Sequence, residues 1–222
     1  MVPTNNSSTP AGVDVRPFKG AGLSHVQKYR KWAFAAAATI VAALCPFLRS
    51  YWPSGTGIHE GIETLGVVLI GCAVVGRAWC TLYIGGRKAQ EVVREGPYSV
   101  SRNPLYLFSF LAVLGAGMQA GSIVFGLMLV FVLFLILRPV IAREEQVLET
   151  RFGAQFASYR RAVPRFGPRL SAWTEADTLR SSPALFWRTV ADGSLFFLTI
   201  PLMEVLEQFQ AAYDLPVWFR VP

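Results

Sequence analysis

Residues 104–141 read PLYLFSFLAVLGAGMQAGSIVFGLMLVFVLFLILRPVI, about 38 consecutive positions in which Arg138 is the only charged side chain. An α-helix rises about 1.5 Å per residue, so one helix of this length would overshoot a hydrocarbon core of roughly 30 Å. Gly115, Gly117 and Gly121 fall near the middle of the run and mark a tight turn. The segment therefore predicts a hairpin of two membrane helices, about 104–118 and 122–141.

Apolar runs continue on both sides. Upstream, residues 62–84 contain Gly66, Gly71 and Gly76, small residues that let helix backbones approach closely. Arg77 lies toward the end of this run and needs water, phosphate or a partner. A shorter run, 32–48, is extended to the interfaces by Tyr29 and Trp52. Downstream, residues 184–206 form a last apolar helix carrying Arg188 and Asp192 one turn apart, paired if they lie within the bilayer. Pro216 to Phe219 reads as interfacial. The expected fold class is all-α, a polytopic integral membrane protein with about five transmembrane helices including the 104–141 hairpin. Four regions follow: a flexible basic tail (1–31), a membrane core (32–168), a linker (169–183), and an additional helix with its tail (184–222). Residues 1–15 lack the basic n-region and apolar h-region of a signal peptide.

Composition agrees. Hydrophobic residues make up 53% and charged residues 16% of the 222 positions, and mean hydropathy is +0.39. Soluble domains carry about 25% charged residues. A disordered chain, a disulfide scaffold and a soluble nucleic-acid-binding domain are excluded. Cys45, Cys72 and Cys80 form no CxxC pair and read as buried small hydrophobes. The net charge of +7 is explained by topology. With the N-terminus inside, nineteen of the 21 Lys and Arg residues fall in the tail, the 77–103 region and the 138–188 region, leaving Arg49 and Arg220 outside. The basic surface then faces an anionic leaflet and not nucleic acid.

Two polar segments leave the membrane on that inner face. The first runs from Gly85 through Gly96-Pro97-Tyr98-Ser99-Val100-Ser101-Arg102-Asn103-Pro104-Leu105-Tyr106; the second runs from Arg138 through Arg143-Glu144-Glu145 to Phe152-Gly153 and Tyr159-Arg160. Asn103-Pro104 reads as a helix N-cap followed by proline at the first helical position. Glu144 and Glu145, adjacent on a helix, point about 100° apart and so address two different groups. Taken singly, each of these features is ordinary loop or surface chemistry.

Together, Gly-Pro-Tyr-x-x-x-Arg-Asn-Pro-x-Tyr, a membrane hairpin, Glu-Glu-x-x-Leu, Phe-Gly and Tyr-Arg resemble the isoprenylcysteine carboxyl methyltransferase family and the related phospholipid methyltransferases. The resemblance covers about residues 62–168. It implies an integral membrane enzyme that transfers methyl from S-adenosylmethionine, taken from the cytosol, to a lipophilic or prenylated acceptor taken from the bilayer. By position, Gly96, Pro97, Tyr98, Arg102, Asn103, Pro104 and Tyr106 would line the cofactor pocket, and Glu144 and Glu145 would hold the cofactor's polar groups. The chemistry fits: the cofactor carries an ammonium and a ribose diol, both suited to carboxylates. Methyl transfer is an in-line displacement that depends on alignment. A carboxylate acceptor needs an orienting arginine and no general base, and Arg102, Arg138, Arg143 and Arg151 are the candidates. Loss of either glutamate should abolish cofactor binding without unfolding.

Many family members have histidine where this chain has Asn103, so no mechanism here uses an acid–base histidine at that point. His25 and His59 read as solvent-exposed, and the sequence offers no metal-ligand set. Three alternatives stand beside the enzyme: a non-catalytic membrane scaffold or lipid-binding relative, a nicotinamide-dependent membrane reductase, and a small-solute transporter, for which no inverted repeat is visible. A bacterial inner membrane is preferred over endoplasmic reticulum. Membrane lipids are the surroundings, nucleic acid is not a partner, and the oligomeric state is left open.

Overall fold

A computed structural model describes residues 45–222 except 88–90, 177, 180, 214 and 215, together with isolated positions 32, 39, 41 and 43. The basic tail, His25 and most of the first apolar run lie outside the described residues.

The described chain is mostly helical. The helices are α1 (Gly57–Ile84), α2 (Pro97–Val100), α3 (Pro104–Met118), α4 (Ile123–Phe152), α5 (Ala154–Ala162), α6 (Pro183–Ser194) and α7 (Thr199–Ala212). A 3₁₀ turn, Leu195–Leu198, joins α6 to α7, so residues Pro183–Ala212 form one helical run. Three segments are long and apolar enough to cross a membrane: α1, α4 and the α6–α7 run. The protein is a helical integral membrane protein. The hairpin occurs where its composition places it, but its two arms differ in length. α3 has 15 residues and α4 has 30. α4 runs on through Pro139 into the polar sequence, which carries Glu144 and Glu145 beyond the apolar segment on the same rigid rod.

Only one of the three hairpin glycines makes the turn. Gly121 has φ +64°. Gly115 and Gly117 lie inside α3 and act as contact points, because a Cβ on Gly115 would sit 2.4 Å from the Gly66 carbonyl oxygen of α1, and one on Gly117 2.5 Å from the Gly126 Cα of α4. Main chains thus meet on both sides of α3, which is how small residues hold membrane helices together where burial of apolar surface supplies little drive. Gly76 lies under the Phe108 ring, whereas Gly71 faces open space. Phe131, Leu135, Leu195, Leu198, Leu202 and Val205 remain exposed on the outer faces of α4 and the α6–α7 run, as lipid-facing side chains do. Cys45 and Cys80 are buried as read from the sequence, but Cys72 is exposed on α1.

The all-α expectation needs one correction. Leu48–Ser50 (β1) pairs in parallel with Phe219–Val221 (β2), and Trp218 stacks on Phe47 with ring centroids 4.1 Å apart. The tail that reads as interfacial is thereby tied back to the start of the described chain. Three-residue strands carry no readable alternation, and parallel pairing across most of the chain has no local signal. Arg188 and Asp192 stand 3.9 Å apart and well exposed. Arg77 bonds to Ser109 Oγ of α3, the partner its position demands.

Candidate active site

The two polar segments meet at the end of the bundle where α1 finishes and α3 begins. α2 is a single turn set by Gly96, whose φ is +56°. A Cβ on Gly96 would fall 2.2 Å from the Tyr83 ring of α1, so Gly96 brings the turn flat against that ring. Pro97, Tyr98, Ser99 and Val100 are all buried. The segment after α5 crosses over this turn and holds it by main-chain bonds. Gly96 N–H donates to Thr174 O at 2.7 Å, Arg102 N–H to Pro164 O at 2.9 Å, and Arg169 N–H to Val100 O at 3.0 Å. α5 adds a fourth clamp: the Tyr159 hydroxyl donates to Tyr98 O at 2.7 Å.

The geometry joins the motif halves across the hairpin. The Tyr106 hydroxyl of α3 donates to Glu144 Oε2 of α4 at 3.0 Å. Arg102 Nη1, just before α3, lies 3.0 Å from Glu145 Oε1. Arg165 grips the same carboxylate from the crossing segment, through Nε at 3.2 Å and through Nη2. Glu145 is 8% exposed, so this is a nearly dry carboxylate held by two guanidinium groups. Burial lowers the Arg102 pKa while Glu145 opposes that shift; the hydrogen bond to Glu145 raises that of Arg165. Both arginines stay charged at any working pH.

The two glutamates therefore differ. Glu145 is committed to internal ion pairs, and Glu144 is the less buried carboxylate, next to the tyrosine of α3. Asn103 stands at the N-cap position of α3 with Pro104 following, but its side chain makes no cap. Its Nδ2 instead donates to Arg165 O at 3.2 Å, and Ser101 Oγ faces the Arg165 and Phe166 carbonyls. Of the four candidate arginines only Arg102 joins this cluster. Arg138, Arg143 and Arg151 are exposed on α4, where Arg143 bonds to Gln146 at 3.1 Å and Arg151 lies 5.8 Å over the Phe152 ring. Sequence reasoning did not nominate Arg165. Its signal is the Pro164-Arg165-Phe166-Gly167-Pro168 stretch, in which a proline on either side restricts the backbone around one guanidinium.

A scan against family descriptions matches residues 64–155 to phospholipid methyltransferase. The chain is also 35% identical over 205 residues to the "Cobalt-zinc-cadmium resistance protein CzcN" of Cupriavidus metallidurans, covering 90% of this chain and 93% of that protein. The chain belongs to the phospholipid methyltransferase family. A second relative, the "Nickel-cobalt-cadmium resistance protein NccN" of Alcaligenes xylosoxydans xylosoxydans, is 32% identical over 191 residues, covering 86% of this chain and 88% of the relative. No solved structure matches significantly. The family match begins within α1 and ends at the start of α5, so it takes in the hairpin, Gly96 to Tyr106 and both glutamates.

The residues of this family member fit a polar cofactor on one further observation. The Tyr98 hydroxyl is buried without a hydrogen-bond partner. Burial pushes its pKa well above the ordinary tyrosine value, with lesser contributions from Cys80, Tyr159, Glu144 and Tyr106. A protonated, orphaned donor buried among Cys80, Tyr83 and Val93 is costly unless something accepts from it.

Proposed function

We propose that the protein is an S-adenosylmethionine-dependent membrane methyltransferase acting on a lipophilic acceptor, with its site where the Gly96–Tyr106 segment meets Glu144. The observation that carries this reading is the junction of the two motif halves across the hairpin, Tyr106 to Glu144 at 3.0 Å and Arg102 to Glu145 at 3.0 Å. The cofactor supplies the electrophilic methyl group. Glu144 and the Tyr98 and Tyr106 hydroxyls would hold its polar groups. Arg102, Arg165, Glu145 and Asn103 position the loop that carries them. Gly96, Pro97 and Pro104 fix that loop's shape. Alignment of the two reactants is the main service the protein provides. Arg138, Arg143 and Arg151 are left for an anionic acceptor, since Arg102 is occupied by Glu145.

The acceptor is a lipid or an isoprenylcysteine-like carboxylate, reached from the bilayer. The charge distribution supports five spans with the N-terminus and the cofactor site on the cytosolic side. Both relatives come from bacteria and carry names tied to metal resistance, which supports a bacterial inner membrane and a role in that setting. The test is transfer of labelled methyl from S-adenosylmethionine into the lipid and protein fractions of membranes containing the protein. Label in one fraction, lost in Glu144→Ala, supports the reading and identifies the acceptor class. Label no higher than in membranes lacking the protein overturns it in favour of the scaffold.

A further inference from the structure

At the other end of α1, about 36 Å along the helix from Tyr83, lies a second polar cluster. His59 was expected at the surface and is instead 2% exposed. The Gly121 turn of the hairpin closes over it; a Cβ there would lie 2.1 Å from His59 Cε1. His59 Nδ1 is 3.1 Å from the Trp52 carbonyl oxygen. A carbonyl only accepts, so Nδ1 carries the proton in the neutral ring and Nε2 presents its lone pair. That nitrogen is buried with no hydrogen-bond partner. It faces Glu63 Oε1 at 3.2 Å and Glu207 Oε1 at 3.3 Å. Two carboxylates and a lone pair converge on one point, all three groups offering electrons. Among the described residues no Lys or Arg pairs with either carboxylate.

We propose that His59, Glu63 and Glu207 bind a divalent cation of the Zn²⁺ class. The two distances from His59 Nε2 match: in a tetrahedral Zn²⁺ site with bonds of about 2.0–2.1 Å, adjacent ligand atoms stand about 3.3–3.4 Å apart, and all three ligand atoms lie within 4.8 Å of one another. One imidazole and two carboxylates leave a position for water and bring the charge to neutrality with a 2+ ion. The outer partners also fit. Metal-bound histidines donate their other N–H to a carbonyl or carboxylate, as His59 does to Trp52. Ser54 Oγ donates to Glu207 Oε2 at 2.8 Å, which turns Oε1 toward His59. Space for an ion adjoins the cluster, since His59 and Glu207 line a cavity of about 280 Å³ together with Ser50, Trp52 and Gln210. The site lies at the opposite end from the methyl-transfer site and does not depend on that reading.

The test uses the tag-free full chain in detergent, stripped with chelator and dialysed against Zn²⁺, with bound metal counted by mass spectrometry and Co²⁺ absorption as a second probe. The expected result is one ion per chain, with affinity at least about 100-fold weaker in Glu207→Gln and roughly 10-fold weaker in Ser54→Ala. Both variants should keep the wild-type melting temperature without metal, which separates ligand loss from misfolding. No uptake by the folded wild type overturns the proposal and leaves His59, Glu63 and Glu207 as an internal polar contact between α1 and α7. Uptake unchanged in Glu207→Gln overturns it equally, by placing the ion elsewhere.

Discussion

Replacing Glu145 with alanine should cost far more stability than replacing its neighbour. Glu145 is 8% exposed and is the counter-ion of Arg102, whose side chain is only 12% exposed. Removing one partner of a buried pair costs about 3–5 kcal/mol, because the other charge is left dry and unpaired. The contact with Arg165 adds little, since that side chain is 40% exposed and water takes over. For a chain of this size 1 kcal/mol shifts the melting temperature by roughly 2–4 °C, so Glu145→Ala should melt roughly 6–20 °C below wild type. Glu144 is less buried, and losing its bond from Tyr106 costs about 0.5–1.5 kcal/mol, or roughly 1–6 °C. The assay is thermal unfolding in detergent, followed by reactivity of buried Cys45 and Cys80 toward a thiol dye. Equal melting temperatures for Glu145→Ala and Glu144→Ala would refute the argument that Glu145 is the internal strut.

Two further outcomes follow from packing and burial. Burial raises the pKa of both Tyr98 and Tyr159 above the ordinary tyrosine value, so the folded state holds these protons more tightly than the unfolded chain. The stability they contribute is fully present below about pH 10 and is lost as pH rises from there through the raised values; tyrosinate absorbance of the folded protein should show Tyr98 and Tyr159 resisting titration, and Tyr159→Phe should remove one resistant group. Gly115→Ala places a Cβ 2.4 Å from the Gly66 carbonyl and should cost about 1–3 kcal/mol, whereas Gly71→Ala meets open space and should leave the melting temperature unchanged or raised. A neutral Gly115→Ala would contradict the close α1–α3 contact.

The apolar runs and the hairpin were legible because a bilayer imposes one period and one length on any helix that crosses it. The motif residues were legible only in combination, since glycine and proline are frequent in this chain and each feature alone is ordinary loop or surface chemistry. What was not legible is long-range. Gly115 and Gly117 read as turn residues, since sequence alone cannot separate a glycine that bends the chain from one that lets another helix touch it. Arg165 was missed because its role exists only once the crossing segment lies over α2. The different partners of Glu144 and Glu145 follow from which side of α4 faces Arg102. His59 read as exposed because its burial is made by Gly121, Trp52 and Glu207, none of them neighbours on the same helix.

Calorimetric binding of S-adenosylmethionine and S-adenosylhomocysteine to the purified protein, with Glu144→Ala alongside, tests the central claim most directly. The account predicts micromolar binding of both by wild type and its loss in a Glu144→Ala protein that still melts within about 6 °C of wild type. Absence of binding by well-folded wild type, or undiminished binding by the variant, would contradict the site described here.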